Sequence, residues 1–367
     1  MSSILFTPIS LGTLRLSNRI IVPPMCQYSA ENGVASDWHA MHYGSLAASG
    51  AGLVVVEATA VSPEGRISPQ DLGLWSDETE AALKRMLDGI RTYSDTPVAI
   101  QLAHAGRKAS QYRPWDPEAG KAVPPAKGGW LPVAPSALPY SPSDPTPEAL
   151  DEAGIARITE AFAEAARRAA RIGFDAVEVH AAHGYLLHEF LSPVSNKRTD
   201  AYGGGPKRRM RMPLEVFTAV RRAFPKEKPV GLRLSGSDWV PGGWDVDDST
   251  AFVRELRKRG CAYAHVSGGG LSPDQSLHVG PGYQVSMAER IKRESALPTI
   301  AVGLITDPIQ AESILVSNQA DMIAVGRGML YNPRWPWHAA VVLSASVSAP
   351  PQYLRSAPHG VKGVFNK

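Results

Sequence analysis

His180-Ala-Ala-His183-Gly-Tyr185 brings two imidazoles and a phenol within six residues. Two ring donors converging on one oxygen would hold the negative charge that a carbonyl acquires when its conjugated system is attacked. A phenol beside them is a weak acid able to supply a proton. If the chain turns helical after His180, a spacing of three places both histidines on one face. The ordinary alternative is a core or capping role, since histidine is of intermediate burial. Three such groups in one short stretch favour a site.

The stretch follows Gly173-Phe-Asp-Ala-Val-Glu-Val179, an apolar run that reads as a buried strand with His180 at its carboxyl end. Similar runs occur at Arg19–Cys26, ended by the Pro23-Pro24 pair, at Gly52–Ala58 and at Pro97–Ala103. Four more follow at Pro229–Leu234, Cys261–Ser267, Pro298–Gly303 and Asp321–Gly326. Helical patterns alternate with them at 37–49, 77–91, about 148–171, 209–224, 247–259, 283–294, 308–316 and 333–343. Strand–helix alternation implies parallel pairing with right-handed crossovers, and eight pairs predict a single α/β domain over 1–367, a (β/α)8 TIM barrel. The rhythm lapses after the third strand: residues 107–147 are proline-rich, too long for an ordinary connection, and read as an excursion over the barrel mouth.

Composition narrows the partners. The net charge of +3 is nearly balanced, and Lys207-Arg208-Arg209 is the one like-charge block, so neither nucleic acid nor a membrane surface is implied. Small molecules are the expected partners. The 2 cysteines, Cys26 and Cys261, lack metal-ligand or disulfide-framework spacing. No run approaches the roughly 18 apolar residues of a membrane span, and no leader pattern precedes the first strand, so a cytoplasmic protein is expected.

The expected strand ends carry Cys26, Ala58, Gln101, His180, Arg233, Ser267, Gly303 and Gly326-Arg327. Glycines closing the seventh and eighth strands let backbone amides approach a phosphate, and Arg327 could add a charge-assisted bond. Gln101 and Arg233 could meet the polar edge of a flat ring, and an isoalloxazine has such an edge. A fixed arginine beside it would raise the flavin potential. In an otherwise apolar strand Arg233 needs a partner, either a cofactor or an acid such as Glu57 or Glu178.

Other chemistries fit less well. A Schiff-base aldolase needs a strand-end lysine, which is missing from all eight. A metal-dependent hydrolase or lyase on the same barrel is the main alternative, but His180, His183 and His188 have no carboxylate from another strand end. Neither Gly203-Gly-Gly205 nor Gly268-Gly-Gly270 continues into a dinucleotide fingerprint, so a nicotinamide would be a passing reductant. A flavin-free binding protein for aromatic ligands is a remoter reading.

Taken together, these residues resemble the Old Yellow Enzyme flavoproteins, in their thermophilic-like branch, over nearly the whole chain. The motifs are Pro23-Pro-Met-Cys26-Gln-Tyr28, Gln101-Leu-Ala-His-Ala-Gly-Arg107-Lys108, His180-Ala-Ala-His183-Gly-Tyr185-Leu, Ser195-Asn-Lys-Arg-Thr-Asp-Ala-Tyr-Gly-Gly204, Arg233-Leu-Ser, Val302-Gly303-Leu-Ile and Val325-Gly326-Arg327. The resemblance implies noncovalent FMN, with Pro24, Met25, Cys26, Ala58, Gln101 and Arg233 along its ring and Gly303, Gly326 and Arg327 around its tail and phosphate. It implies that NADPH or NADH reduces the flavin and leaves, and that an α,β-unsaturated carbonyl or nitro compound then takes its place. His180 and His183 would bind the activating oxygen, the flavin would deliver hydride, and Tyr185 would protonate the α carbon. Cys26 would tune the flavin and Tyr28 shape the substrate pocket. The tail at 346–367 resembles a segment that sends an arginine and an aromatic, here Arg355 and Tyr353, into a neighbouring subunit of a homodimer or homotetramer. The sequence departs from the family at Gly205-Pro-Lys-Arg208, where successive cations oppose the helix dipole and should weaken the helix start.

Overall fold

The computed structural model describes residues 3–366. Eight parallel strands close a barrel: β1 (Ile20–Val22), β2 (Leu53–Ala60), β3 (Val98–Ala103), β4 (Ala176–Ala181), β5 (Val230–Ser235), β6 (Ala264–Ser267), β7 (Thr299–Ala301) and β8 (Met322–Ala324). β8 pairs back onto β1 through Ile323↔Ile20 and Ala324↔Ile21. The expected (β/α)8 architecture is the observed one. Every barrel-strand residue is buried, because the strands face side chains inside the barrel and helices outside it.

The surrounding helices begin where side chains satisfy their free N–H groups. Asp151 accepts from Gly154 N at 2.7 Å and Asp307 from Gln310 N at 2.7 Å, while Asp245 accepts from both Asp247 and Asp248 N. Helix Glu152–Ile172 stops at Gly173, whose φ of +105° suits glycine alone. The other major helices span Asp37–Ala47, Asp77–Tyr93, Arg211–Ala223, Val246–Lys258, Val285–Ser295, Pro308–Val316 and Trp335–Val342. Helix Arg211–Ala223 starts two residues beyond the expected Arg209. A separate turn, Pro206–Arg209, precedes it with Gly205 as an N-cap that offers no side chain. Arg209 ends that turn, and its guanidinium donates to the carbonyls of Leu191 and Gly204.

The two ends of the barrel differ. Ile21, Leu53, Val55, Ala99, Ala176, Tyr263, Ile300 and Met322 fill the lower interior together with Leu11 and Leu16. These two leucines come from an antiparallel hairpin, Ile9–Leu11 with Leu14–Leu16, which therefore plugs the amino-terminal end. Higher up, the inward positions turn polar: Gln101, Glu178, Arg233 and His265.

Two expectations need correcting. Ala58, Gln101 and Arg233 are not strand ends, because β2, β3 and β5 run two residues further, to Ala60, Ala103 and Ser235. They form the last inward layer beneath the mouth. A bulge between Val56 and Ala58 turns Ala58 toward Gln101 and sends Glu57 the other way. Glu57 there takes bonds from Tyr43 Oη and Gln27 N, so it is not the partner of Arg233.

The segment 107–147 carries short 3₁₀ turns and a two-residue strand, Val133–Ala134, paired with Glu148–Ala149. It is pinned by Arg107 Nη2 to Leu271 O at 2.8 Å and by Trp130 Nε1 to Glu64 O at 2.9 Å. Among the described residues no helix is long and apolar enough to cross a membrane.

Leu16 is fully buried in the floor. Leu16→Ala should cost about 2–5 kcal/mol. A clear fall in the denaturant midpoint with an unchanged visible spectrum is the expected result, since the floor lies far from the mouth.

Candidate active site

His180 is the fifth residue of β4 and is buried. Its Nδ1 accepts from Ala182 N at 3.2 Å, which puts the proton of a neutral ring on Nε2, a donor. The strand continues to Ala181 and no helix follows directly. Instead His183 and Gly184 take left-handed φ values of +60° and +74°, and a helix begins only at Leu186. The helical face expected for the two histidines is thus a turn, but the rings still meet: their centroids lie 5.2 Å apart and nearly perpendicular. Tyr185 closes the group, its ring centroid 5.0 Å from that of His180.

Several contacts hold this turn. His183 N donates to Ser235 Oγ, and Lys108 Nζ donates to the carbonyls of His183 and Gly270. Gly184 N donates to His188 Nδ1 at 2.9 Å, and His188 Nε2 lies 2.8 Å from Asp238 Oδ1. Gly184 is required sterically as well as for φ, because a Cβ there would come within 2.1 Å of Gly270 O. His183 Nε2 lies 2.8 Å from Ser267 Oγ, whose other neighbour, Gln284 Oε1, is 3.4 Å away. With the serine proton on Gln284, Nε2–H of His183 donates to Ser267; with that proton turned to the shorter contact, Nε2 accepts and Nδ1–H is left as a second donor, which is the tautomer an oxygen-binding role requires.

Electrostatics keep the pair neutral. Burial, then the charge of Arg233, holds both His180 and His183 well below the usual histidine range. Burial pushes the Tyr185 phenol well up, so it stays protonated. Lys108, also 5.2 Å from the Tyr185 ring, is brought down to about 8 by burial. Burial, followed by Asp71 and Glu57, raises the Cys26 thiol, so it is no thiolate nucleophile. Tyr28 has φ +49° and sits edge-on to Trp115 at 5.7 Å.

Next to Ser267, the contact of His183, and Arg233, the register neighbour of His180, lies a cavity of about 270 Å³ whose lining includes Pro24, Met25, Gly303, Gly326 and Arg327 but not Cys26, Ala58, Gln101 or the two histidines. Its features fit a flavin mononucleotide. Arg233 Nε is buried without a partner, and the one bond from its guanidinium, Nη1 to Pro24 O, is long at 3.4 Å. An electron-rich ring edge would satisfy that cation. Gly303 has φ +128°, and a Cβ there would meet Gln284 Nε2 at 2.9 Å, so the backbone is bare where a phosphate chain would run. Ala58 and Gln101, opposite each other in the β2–β3 register, continue the inward layer, and Cys26 lies close to the Ala58 backbone.

A barrel with a plugged floor, an under-bonded buried arginine and a donor pair at its mouth defines a flavin-dependent oxidoreductase of the (β/α)8 type. The chain belongs to the NADH:flavin oxidoreductase / NADH oxidase family, which it matches over residues 4–344. It is 43% identical over 357 residues to an NADPH dehydrogenase of Geobacillus thermodenitrificans, covering 97% of this chain and 99% of that one. An NADPH dehydrogenase of Listeria innocua is 43% identical over 354 residues, covering 96% and 98%. Among solved structures, morphinone reductase superposes with a TM-score of 0.78 at 31% identity, covering 100% of this chain and 97% of that one. The Old Yellow Enzyme resemblance holds, FMN is the cofactor with a nicotinamide as reductant, and the metal-dependent alternative finds no support. Among the described residues no three His, Cys, Asp or Glu side chains are grouped to hold a metal. His188 in particular is committed to Asp238 and Gly184.

Tyr353 and Arg355 are not gathered into this chain's own site. They lie in an exposed 3₁₀ turn, Pro351–Ser356, with Tyr353 against Trp337 and Arg334. The tail packs toward the opposite end of the barrel, where Ser348 O stands over Gly50 just before β2. The sequence reading gave no role to Lys108, Ser267 or the His188–Asp238 pair. Lys108 stands inside a quoted motif and Ser267 at a strand end, but nothing local marks Asp238 as the partner of a histidine 50 residues earlier.

Asp238 is held ionised against its burial by His188, Ser192 and Trp244 N. Asp238→Asn should loosen His188 and with it the His183–Gly184 turn. The expected result is a loss of about tenfold in kcat/KM for an acceptor, about 1.4 kcal/mol, with flavin content unchanged. ¹⁵N spectra of labelled histidine should meanwhile show neither His180 nor His183 gaining a proton between about pH 6 and pH 8, around the ordinary histidine value.

Proposed function

We propose that this enzyme reduces the C=C bond of α,β-unsaturated carbonyl or nitro compounds at the expense of NADPH or NADH. The observation that carries the reading is the convergence of His180, His183 and Tyr185 beside a cavity containing the under-bonded Arg233. Bound FMN supplies the chemistry of hydride acceptance from a nicotinamide and hydride donation to an activated double bond. The chain's own residues do the rest. His180 Nε2–H and His183 Nδ1–H bind a carbonyl or nitro oxygen, and because both rings are neutral they polarise it without protonating it. Tyr185 keeps its proton at working pH and is placed to give it to the carbon next to the activating group. Pro24, Met25, Cys26, Ala58, Gln101 and Arg233 are assigned to the flavin ring, and Gly303, Gly326 and Arg327 to its chain and phosphate. Tyr28, with Trp115 at its edge, is assigned to the outer wall of the substrate pocket.

The exposed Tyr353 and Arg355 are proposed to complete a neighbouring subunit's site in a homodimer or homotetramer. Their exposure and the tail's packing away from this chain's own site support that reading. A cytoplasmic location is proposed from the two free, unpaired cysteines.

The purified protein should be yellow, bleach with NADPH without oxygen, and regain colour on adding an enone such as cyclohexenone. Replacing both His180 and His183 by alanine should slow that reoxidation by about 10²-fold or more while the flavin stays bound. Tyr185→Phe should slow it by about 10²-fold. Reoxidation at the wild-type rate in the double variant would remove the donor pair from the mechanism.

A further inference from the structure

Beneath the mouth lies a buried pair, Glu178 and His265, to which the proposed reaction assigns no role. Glu178, on β4 two residues before His180, is fully buried and faces inward. Its Oε1 accepts from Gln101 Nε2 at 2.7 Å, and its Oε2 lies 3.1 Å from His265 Nδ1. Arg233 is the registered neighbour of both His180 and His265, so its guanidinium stands on the strand next to this carboxylate. Burial opposes ionisation of Glu178, but the hydrogen bonds from His265 and Gln101 and the charge of Arg233 hold it below the usual glutamate range. It is a carboxylate at working pH. Burial lowers His265, which is therefore a neutral ring donating from Nδ1.

An ionised carboxylate only accepts hydrogen bonds, so it fixes the orientation of the amide above it. Gln101 gives an N–H to Glu178, which turns its carbonyl oxygen away from the carboxylate, to the side assigned to the flavin ring. That oxygen suits a ring edge carrying an N–H, as the pyrimidine edge of oxidised isoalloxazine does. The same negative charge offsets part of the Arg233 field. Without it the arginine would stabilise an anionic reduced ring more strongly.

We propose that Glu178 is a positioning residue for the flavin: acting through Gln101 and Arg233, it sets the edge the protein presents to the ring and keeps the flavin potential low. This rests on the assignment of Gln101 and Arg233 to the flavin ring. Two consequences share a sign. Neutralising Glu178 frees Gln101 to turn its NH₂ toward the ring and leaves the Arg233 charge less opposed, and both changes favour the reduced, negatively charged flavin.

The test uses the FMN-loaded protein and its Glu178→Gln, Glu178→Asp and Gln101→Leu variants. Midpoint potentials are measured by anaerobic dye equilibration, and dissociation constants for FMN and N3-methyl-FMN after stripping the flavin. Glu178→Gln should shift the two-electron equilibrium toward reduced flavin at least tenfold, about 30 mV upward, and narrow the preference for FMN over the N3-methyl analogue by fivefold or more. Glu178→Asp keeps the charge but loses reach, so it should leave the potential within threefold while narrowing the same preference. Should Glu178→Gln not accumulate as folded holoprotein, the aspartate variant decides on that preference. An unchanged potential and preference in the Glu178 variants, with only a lowered melting temperature, would make the cluster structural and overturn the proposal. Gln101→Leu separates the two levels. If it alters FMN affinity while the Glu178 variants do not, the positioning role fails alone; if it too has no effect, the assignment of Gln101 to the ring fails.

Discussion

A guanidinium enclosed in the barrel is the constraint around which the upper half of this molecule is arranged. Arg233 is 9% exposed, and its Nε has no partner at all. An uncompensated buried ion costs several kcal/mol, so the neighbourhood must answer it. Glu178 is the foremost charge favouring its ionised form, but that carboxylate spends its close contacts on Gln101 and His265. The arginine is therefore neutralised at a distance while its donors stay under-bonded. A protein without a ligand to place there would be more stable with an apolar side chain. The arrangement makes sense for a fold that stores unsatisfied donors for an electron-rich cofactor.

The same charge disciplines the histidines. A cation a strand away lowers the affinity of both rings for protons, adding to what burial already does. Neutral imidazoles are weaker donors than imidazolium, but they do not change charge across the physiological range, which is consistent with the proton donor proposed for Tyr185. In the proposed reaction Arg233 would thus act on both partners, as a field beneath the ring and as a charge that reinforces burial in keeping the two imidazoles neutral.

Much of this was legible in the sequence because the barrel's burial pattern is periodic. All eight strands lie where continuous apolar runs predict them, and Pro308–Val316 begins and ends at the expected residues. What local pattern does not carry is pairing across distance. The bulge that turns Glu57 outward is set by the β2–β3 register, and a register is a property of two strands. Reading Glu57 as a possible partner of Arg233 failed for that reason, while Glu178, on a strand without a bulge, kept its inward face. Ala58, Gln101 and Arg233, grouped with the strand ends in the sequence, stand two residues inside β2, β3 and β5, and polarity at Gln101 and Arg233 does not mark the end of a strand. Here it marks the level at which the interior turns from floor to site. The tail lies beyond the matched residues 4–344, and its described part, 346–366, packs away from this chain's own site, which no local pattern foretells.

The turn after β4 shows how a correct residue set can follow from the wrong local geometry. Spacing of three suggested a helical face, and the rings do converge, but through two successive left-handed residues. A helix would have carried His183 upward along its axis. The turn folds it back across the barrel mouth toward Ser267 on β6. Such a backbone is costly for a non-glycine residue such as His183, and it persists because its polar groups are spoken for: N–H by Ser235, carbonyl by Lys108, and the next N–H by His188. Each anchor comes from a different part of the chain. The turn is therefore only as rigid as the upper barrel that holds those anchors together.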